Sequence, residues 1–160
     1  MTNTQTVRGS YPKLHLLVAF LAVAGLADSI YLTITHLTGE NIACLASSGC
    51  SEVLSSRYAT VGSIPLAAFG VVGYFVAFSL AILAAFGYSH AMILLRFWVA
   101  GMLATTLWLL YVQAFLLHAF CTYCLLSATL TVFISAIVTV VYFVERRHQI
   151  TAAAPPAVQS

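Results

Sequence analysis

The stretch 91–144, "AMILLRFWVAGMLATTLWLLYVQAFLLHAFCTYCLLSATLTVFISAIVTVVYFV", decides how this chain folds. Apart from Arg96 it holds no charged residue, and a bilayer crossing takes about 20 apolar residues. It is therefore too long for one crossing and must fold into two. Its weakest point lies between Gln113 and Cys124, where Gln113, His118 and "CTYC" interrupt the apolar run. This places a third crossing at 91–116 and a fourth at 120–144.

Working outward, the region 64–86 is a second such segment, entered through Ile64-Pro65, where proline suits a first helical turn. "GYSH" makes a short reversal after it. The first crossing is read at 14–36, after a solvated leader of residues 1–13 too long in its apolar continuation to be a cleaved signal. Between crossings one and two lies a polar loop, 37–63, with Cys44 and Cys50. Residues 146–160 end in "TAAAPPAVQS", whose composition suggests a disordered tail.

Of the 160 residues, 62% are hydrophobic and 6% charged, with a mean hydropathy of +1.01. A soluble domain carries about a quarter charged residues, so the fold class is an all-α membrane protein, a bundle of four transmembrane helices. The net charge of +2 and the short cation clusters exclude a nucleic-acid partner. Orientation follows from Lys and Arg in the short connections. Arg8, Lys13, Arg146 and Arg147 flank the bundle, and Arg96 is placed to snorkel back toward "GYSH". All five fall on one face and only Arg57 on the other. Both termini should then be cytoplasmic, in an inner-membrane protein with all four cysteines at the extracytoplasmic face.

Four thiols at an oxidising face call for chemistry. Cys121 opens a helix, near unpaired N–H groups and the positive end of the dipole, where the nucleophilic thiolate is favoured. Cys124 lies one turn deeper, toward the hydrocarbon. The pair Cys44 and Cys50, separated by "LASSG", sits in a loop able to reach outward. Together they suggest a two-stage thiol–disulfide relay, with a lipid-soluble two-electron acceptor such as a membrane quinone at Cys124. Structural disulfides, a zinc site of four thiolates and small buried hydrophobes are the competing accounts. A resident metal is not expected at this oxidising boundary.

"CLASSGC" and "SSRYATVGSIPLAAFGVVGY", followed downstream by "CTYC", resemble the vitamin K epoxide reductase family in its stand-alone prokaryotic form. The resemblance covers about residues 15–145. It implies a four-helix bundle around a quinone, ubiquinone or menaquinone, capped by the loop between helices 1 and 2. It further implies that Cys44 exchanges with a soluble thioredoxin-fold partner, that Cys50 passes electrons to Cys121, and that Cys124 faces the quinone. Ser56 matches the family's loop serine. No thioredoxin-like domain follows the fourth crossing, so the carrier is expected to be a separate protein. Animal members carry a tyrosine four residues past the CxxC, where this chain has Ala128, which points to quinone more than epoxide as acceptor.

Asp28, inside the first crossing, is a candidate for moving thiol protons, with a packing hydrogen bond as its plainer role. His36 and His118 are boundary candidates. Phe69, Tyr74, Trp108, Tyr111, Phe115, Phe120 and Tyr123 are candidates to wall a flat ring, and of these Phe69, Phe115 and Tyr123 are assigned to the quinone pocket. The function expected is a membrane thiol:quinone oxidoreductase supporting disulfide formation in exported proteins. Reduction of vitamin K quinone or epoxide, and a non-enzymatic membrane module, are the alternatives.

Overall fold

A computed structural model of the chain describes residues 12–38, 53, 59–61 and 64–153. Helix α1 spans Pro12–Thr38, α2 Leu66–Ala85, α3 Ser89–Tyr111 and α4 Thr122–Ala153. A short π-helix, Val112–Leu117, extends α3. Four segments within these are long and apolar enough to cross a membrane: Lys13–Thr38, Leu66–Ala85, Ser89–Leu117 and Thr122–Arg147. The shortest, at 20 residues, is about 30 Å long, the thickness of a hydrocarbon core. The protein is a four-helix membrane bundle, and the long apolar run of 91–144 folds back once.

Two short strands, β1 (Thr60–Val61) and β2 (Ile64–Pro65), pair antiparallel just ahead of α2. Pro65 therefore stands before the helix and not in its first turn, with an extended ψ of 136°. Its place in the β-pair sets that angle. The end of α4 is a second correction: residues 146–153, expected in the disordered tail, continue the helix to Ala153. Alanines favour the helical state, and Pro155 lies just beyond. Arg96 differs too. Its guanidinium donates to Glu145 at 2.9 Å and lies 4.3 Å from the Tyr142 ring centroid, clasping α3 to α4 rather than snorkelling.

The turn from α2 to α3 is a Schellman motif. Gly87 N–H donates to Ala84 O at 2.9 Å and Tyr88 N–H to Leu83 O at 3.2 Å. That geometry requires a left-handed residue after the helix, and Gly87 supplies it with φ 86°.

Packing differs between the two ends of the bundle. Near the α2–α3 turn the core is solid, built from Val18 and Ala22 of α1, Ala77 and Ala81 of α2, Leu95 and Val99 of α3, and Ile134 and Val138 of α4. Small residues let α1 and α2 approach closely. At Gly25 the contact is tight, since an added Cβ would overlap the Tyr74 ring. Toward the opposite end the facing positions are Ser29, Gly70, Gly73, Gly101, Thr105 and Ala128, too small to fill the space, and a cavity results. Phe20, Phe75 and Phe133 point outward, as the solvent of this fold is lipid.

A dithiol on the wall of an intramembrane cavity

The turn between α3 and α4 is built from local hydrogen bonds. Widening of the last turn of α3 into a π-helix brings Val112 and Gln113 both into the interior. His118 then takes a left-handed conformation, φ 49° and ψ 27°, which reverses the chain. The Gln113 carbonyl accepts from Ala119 N–H at 3.3 Å, and its side-chain Oε1 accepts from Cys121 N–H at 3.2 Å. Leu125 N–H donates to Cys121 O at 3.0 Å, the first bond of α4. Cys121 is thus the N-cap residue and Cys124 the third residue of the helix.

Cys121 is 0% exposed. Its sulfur accepts a hydrogen bond from the Cys124 thiol and others from the backbone N–H groups of Cys124 and Tyr123. The Cys124 hydrogen bond foremost, with those amides, lowers the Cys121 pKa to about 7, against the opposing effects of burial and of the Asp28 charge. Cys121 precedes the spanning segment of α4. The thiolate is thereby favoured at Cys121, with Cys124 as its hydrogen-bond donor. Val53, from the loop between α1 and α2, packs on Ala119 and Cys121. Val53 therefore reaches the dithiol.

The cavity encloses about 460 Å³, within the range of small-molecule sites. Its wall is apolar over most of its area and takes residues from all four helices. Cys124 lies on it, and so do Asp28, His36, Tyr74 and Gln113. On the α2–α4 side the Tyr74 hydroxyl donates to Ser127 O at 2.8 Å and lies 2.9 Å from both Ser127 Oγ and Thr131 Oγ1. Trp98 Nε1–H donates to Gly73 O at 3.0 Å, tying α3 to α2 at the cavity's edge. No atom lies within 4 Å of the Cβ position of Gly101, so α3 faces open space there. An apolar chamber with a few polar groups and one thiol fits a flat, lipid-soluble ring.

Placement of the expected site residues is uneven. Cys121 and Cys124 are together, and Asp28 and Phe69 line the cavity beside Cys124. Phe115 and Tyr123, assigned to the pocket from sequence, do not line it. Phe115 is 66% exposed and stacks on Tyr111 with centroids 4.9 Å apart, on the lipid side of α3. Tyr123 turns toward α1 and packs on Tyr31 at 5.3 Å. Both follow from register: the positions facing inward on those turns belong to Gln113 and Cys124. Cys44, Cys50 and Ser56 lie outside the described residues. Sequence reasoning read Gln113 only as a break in the apolar run and missed Ser127 and Thr131 as the partners of Tyr74, which it had placed among the candidates to wall a ring. The available signal was the spacing of small residues around them.

A vicinal dithiol bordering an intramembrane cavity in a four-span bundle defines a membrane-embedded oxidoreductase. The model of the vitamin K epoxide reductase family matches residues 16–140. This covers most of the chain, and the protein belongs to that family. It is an integral membrane redox enzyme of the disulfide and quinone reductase class.

Proposed function

We propose that this protein oxidises a thioredoxin-fold carrier at the extracytoplasmic face and delivers the electrons to a membrane quinone. It thereby sustains disulfide formation in exported proteins. The observation that carries this reading is Cys124 on the wall of the apolar cavity, hydrogen-bonded to the more acidic Cys121 behind it. Cys124 borders a space suited to a hydrophobic acceptor, and Cys121 is buried against Val53.

The steps balance. A carrier dithiol attacks the Cys44–Cys50 disulfide and leaves as a disulfide, with the loop pair reduced. A loop thiolate, assigned to Cys50, attacks Cys121 of the Cys121–Cys124 disulfide, releasing Cys124 as a thiolate. Closure of the loop disulfide then releases Cys121. The Cys121–Cys124 dithiol gives up two electrons and two protons to the quinone, its sulfurs rejoin, and quinol leaves into the bilayer. Asp28, on the cavity wall, is placed to pass protons toward the ring. Cytoplasmic termini, as the Lys and Arg distribution indicates, put the carrier in the compartment where disulfides persist.

Cys124→Ser tests the relay. Electron flow from carrier to quinone should stop, and the Cys121 thiolate, attacking Cys50 of the loop disulfide and releasing Cys44, should appear as a Cys50–Cys121 crosslink on a non-reducing gel. Oxidation of the carrier by this variant at the wild-type rate, with added ubiquinone or menaquinone, would falsify the order of transfer. Turnover with vitamin K epoxide and with neither quinone would replace the acceptor.

A further inference from the structure

We infer that Gln113 is a two-sided positioning residue: its carbonyl oxygen fixes the Cys121 turn, and its amide NH2 donates to a carbonyl oxygen of the ring bound in the cavity. The inference rests on the quinone reading above and adds the group that holds the ring at the thiol.

Three observations carry it. Gln113 is only 4% exposed, in a setting where a polar side chain is expensive unless its groups are partnered. Its Oε1 accepts from Cys121 N–H at 3.2 Å. Because a backbone N–H can only donate, this bond fixes which end of the amide faces the turn, so the NH2 must face elsewhere. The NH2 has no hydrogen-bond partner among the described residues. No side-chain nitrogen or oxygen among them is both sealed and unpartnered, and Gln113 lines the cavity. Gln113 borders the same space as Cys124, and with its oxygen held by the turn its NH2 is, on this inference, directed into that space.

The chemistry of the acceptor matches. A quinone presents two carbonyl oxygens and no donor, so an unpartnered N–H pair on an otherwise apolar wall is the complementary group. As two electrons enter the ring, negative charge builds on those oxygens, and a fixed donor stabilises it more than it stabilises the oxidised ring. The same side chain ties the donor to the Cys121 backbone, which keeps ring and dithiol in one register.

Two variants separate this from a purely structural cap. Gln113→Met keeps the shape and removes both hydrogen bonds. Gln113→Glu keeps an acceptor for Cys121 N–H and carries a donor only when protonated. Ubiquinone labelled with carbon-13 at its carbonyls, bound to full-length protein, is followed by infrared difference spectroscopy, with quinone KM measured alongside. In wild type one carbonyl stretch should lie below its position in free quinone. In Gln113→Met it should return to the free position, and KM should rise about tenfold, the effect of one lost hydrogen bond. Gln113→Glu should approach wild-type KM at low pH and lose it as pH rises. Identical carbonyl bands in wild type and Gln113→Met, with quinone bound to both, would overturn the inference and leave the quinone reading intact. A wild type that reduces no quinone removes that reading, and this one falls with it.

Discussion

Cys121 illustrates how much one backbone position does for one sulfur. As N-cap of α4 it receives amide hydrogen bonds that any helix leaves unused at its start, and the thiol of Cys124 adds the strongest of its contacts. A free thiol titrates near 8.5 and is mostly protonated at neutral pH. With its pKa lowered to about 7, Cys121 holds more thiolate at neutral pH than a free thiol does. Thiolate absorbance in the ultraviolet, taken as the difference between wild type and Cys121→Ala in the reduced state, should rise with a midpoint near pH 7. Cys124→Ala should move that midpoint upward, because its thiol is the leading cause of the shift. An unchanged midpoint would mean that the helix N-terminus alone sets the acidity.

Among the elements, α1 and α2 form the tightest seam. The Tyr74 ring packs against Gly25, and its hydroxyl crosses to Ser127 and Thr131 on α4. One side chain thus joins three helices at the floor of the cavity. Gly25→Ala inserts a methyl group where the ring already sits, and overpacking of this kind costs about 1–3 kcal/mol. Thermal unfolding in detergent should show a clear fall in Tm. Gly101→Ala is the matched control, since nothing lies within 4 Å of its Cβ position, and its Tm should stay at or slightly above wild type. Equal Tm values for the two variants would show that the α1–α2 approach is looser than the contact implies.

The whole molecule is a bundle filled at one end and hollow at the other. The filled end carries the α2–α3 turn and the Arg96–Glu145 bridge, and the hollow end carries the dithiol. The dithiol therefore lies at one end of the bundle, which on the proposed function is the extracytoplasmic end. In a variant lacking the four native cysteines, Tyr88→Cys in the exposed α2–α3 turn reads the orientation. An impermeant maleimide should label it only after the cells are permeabilised. Labelling of intact cells would invert the topology and place the dithiol in the reducing cytoplasm.

Hydrophobic length alone determined the four crossings, because a bilayer demands about 20 apolar residues whatever their order. The position of Cys121 at a helix start was equally legible, since the one polar interruption in 91–144 had to be the turn. What faces the cavity was not. In a soluble helix the polar face marks the outside, but lipid is as apolar as a core, so both faces of these helices read alike. Phe69 and Phe115 look equivalent as letters, and only packing sends one to the cavity and the other to lipid. Gln113 looked like a flaw in an apolar run until the π-turn aimed it inward at Cys121. The sequence by itself determined how many helices there are and where the thiols fall along them. The tertiary structure decided which side chains meet, because that depends on helix rotation, and a uniformly apolar helix carries almost no signal for its own rotation.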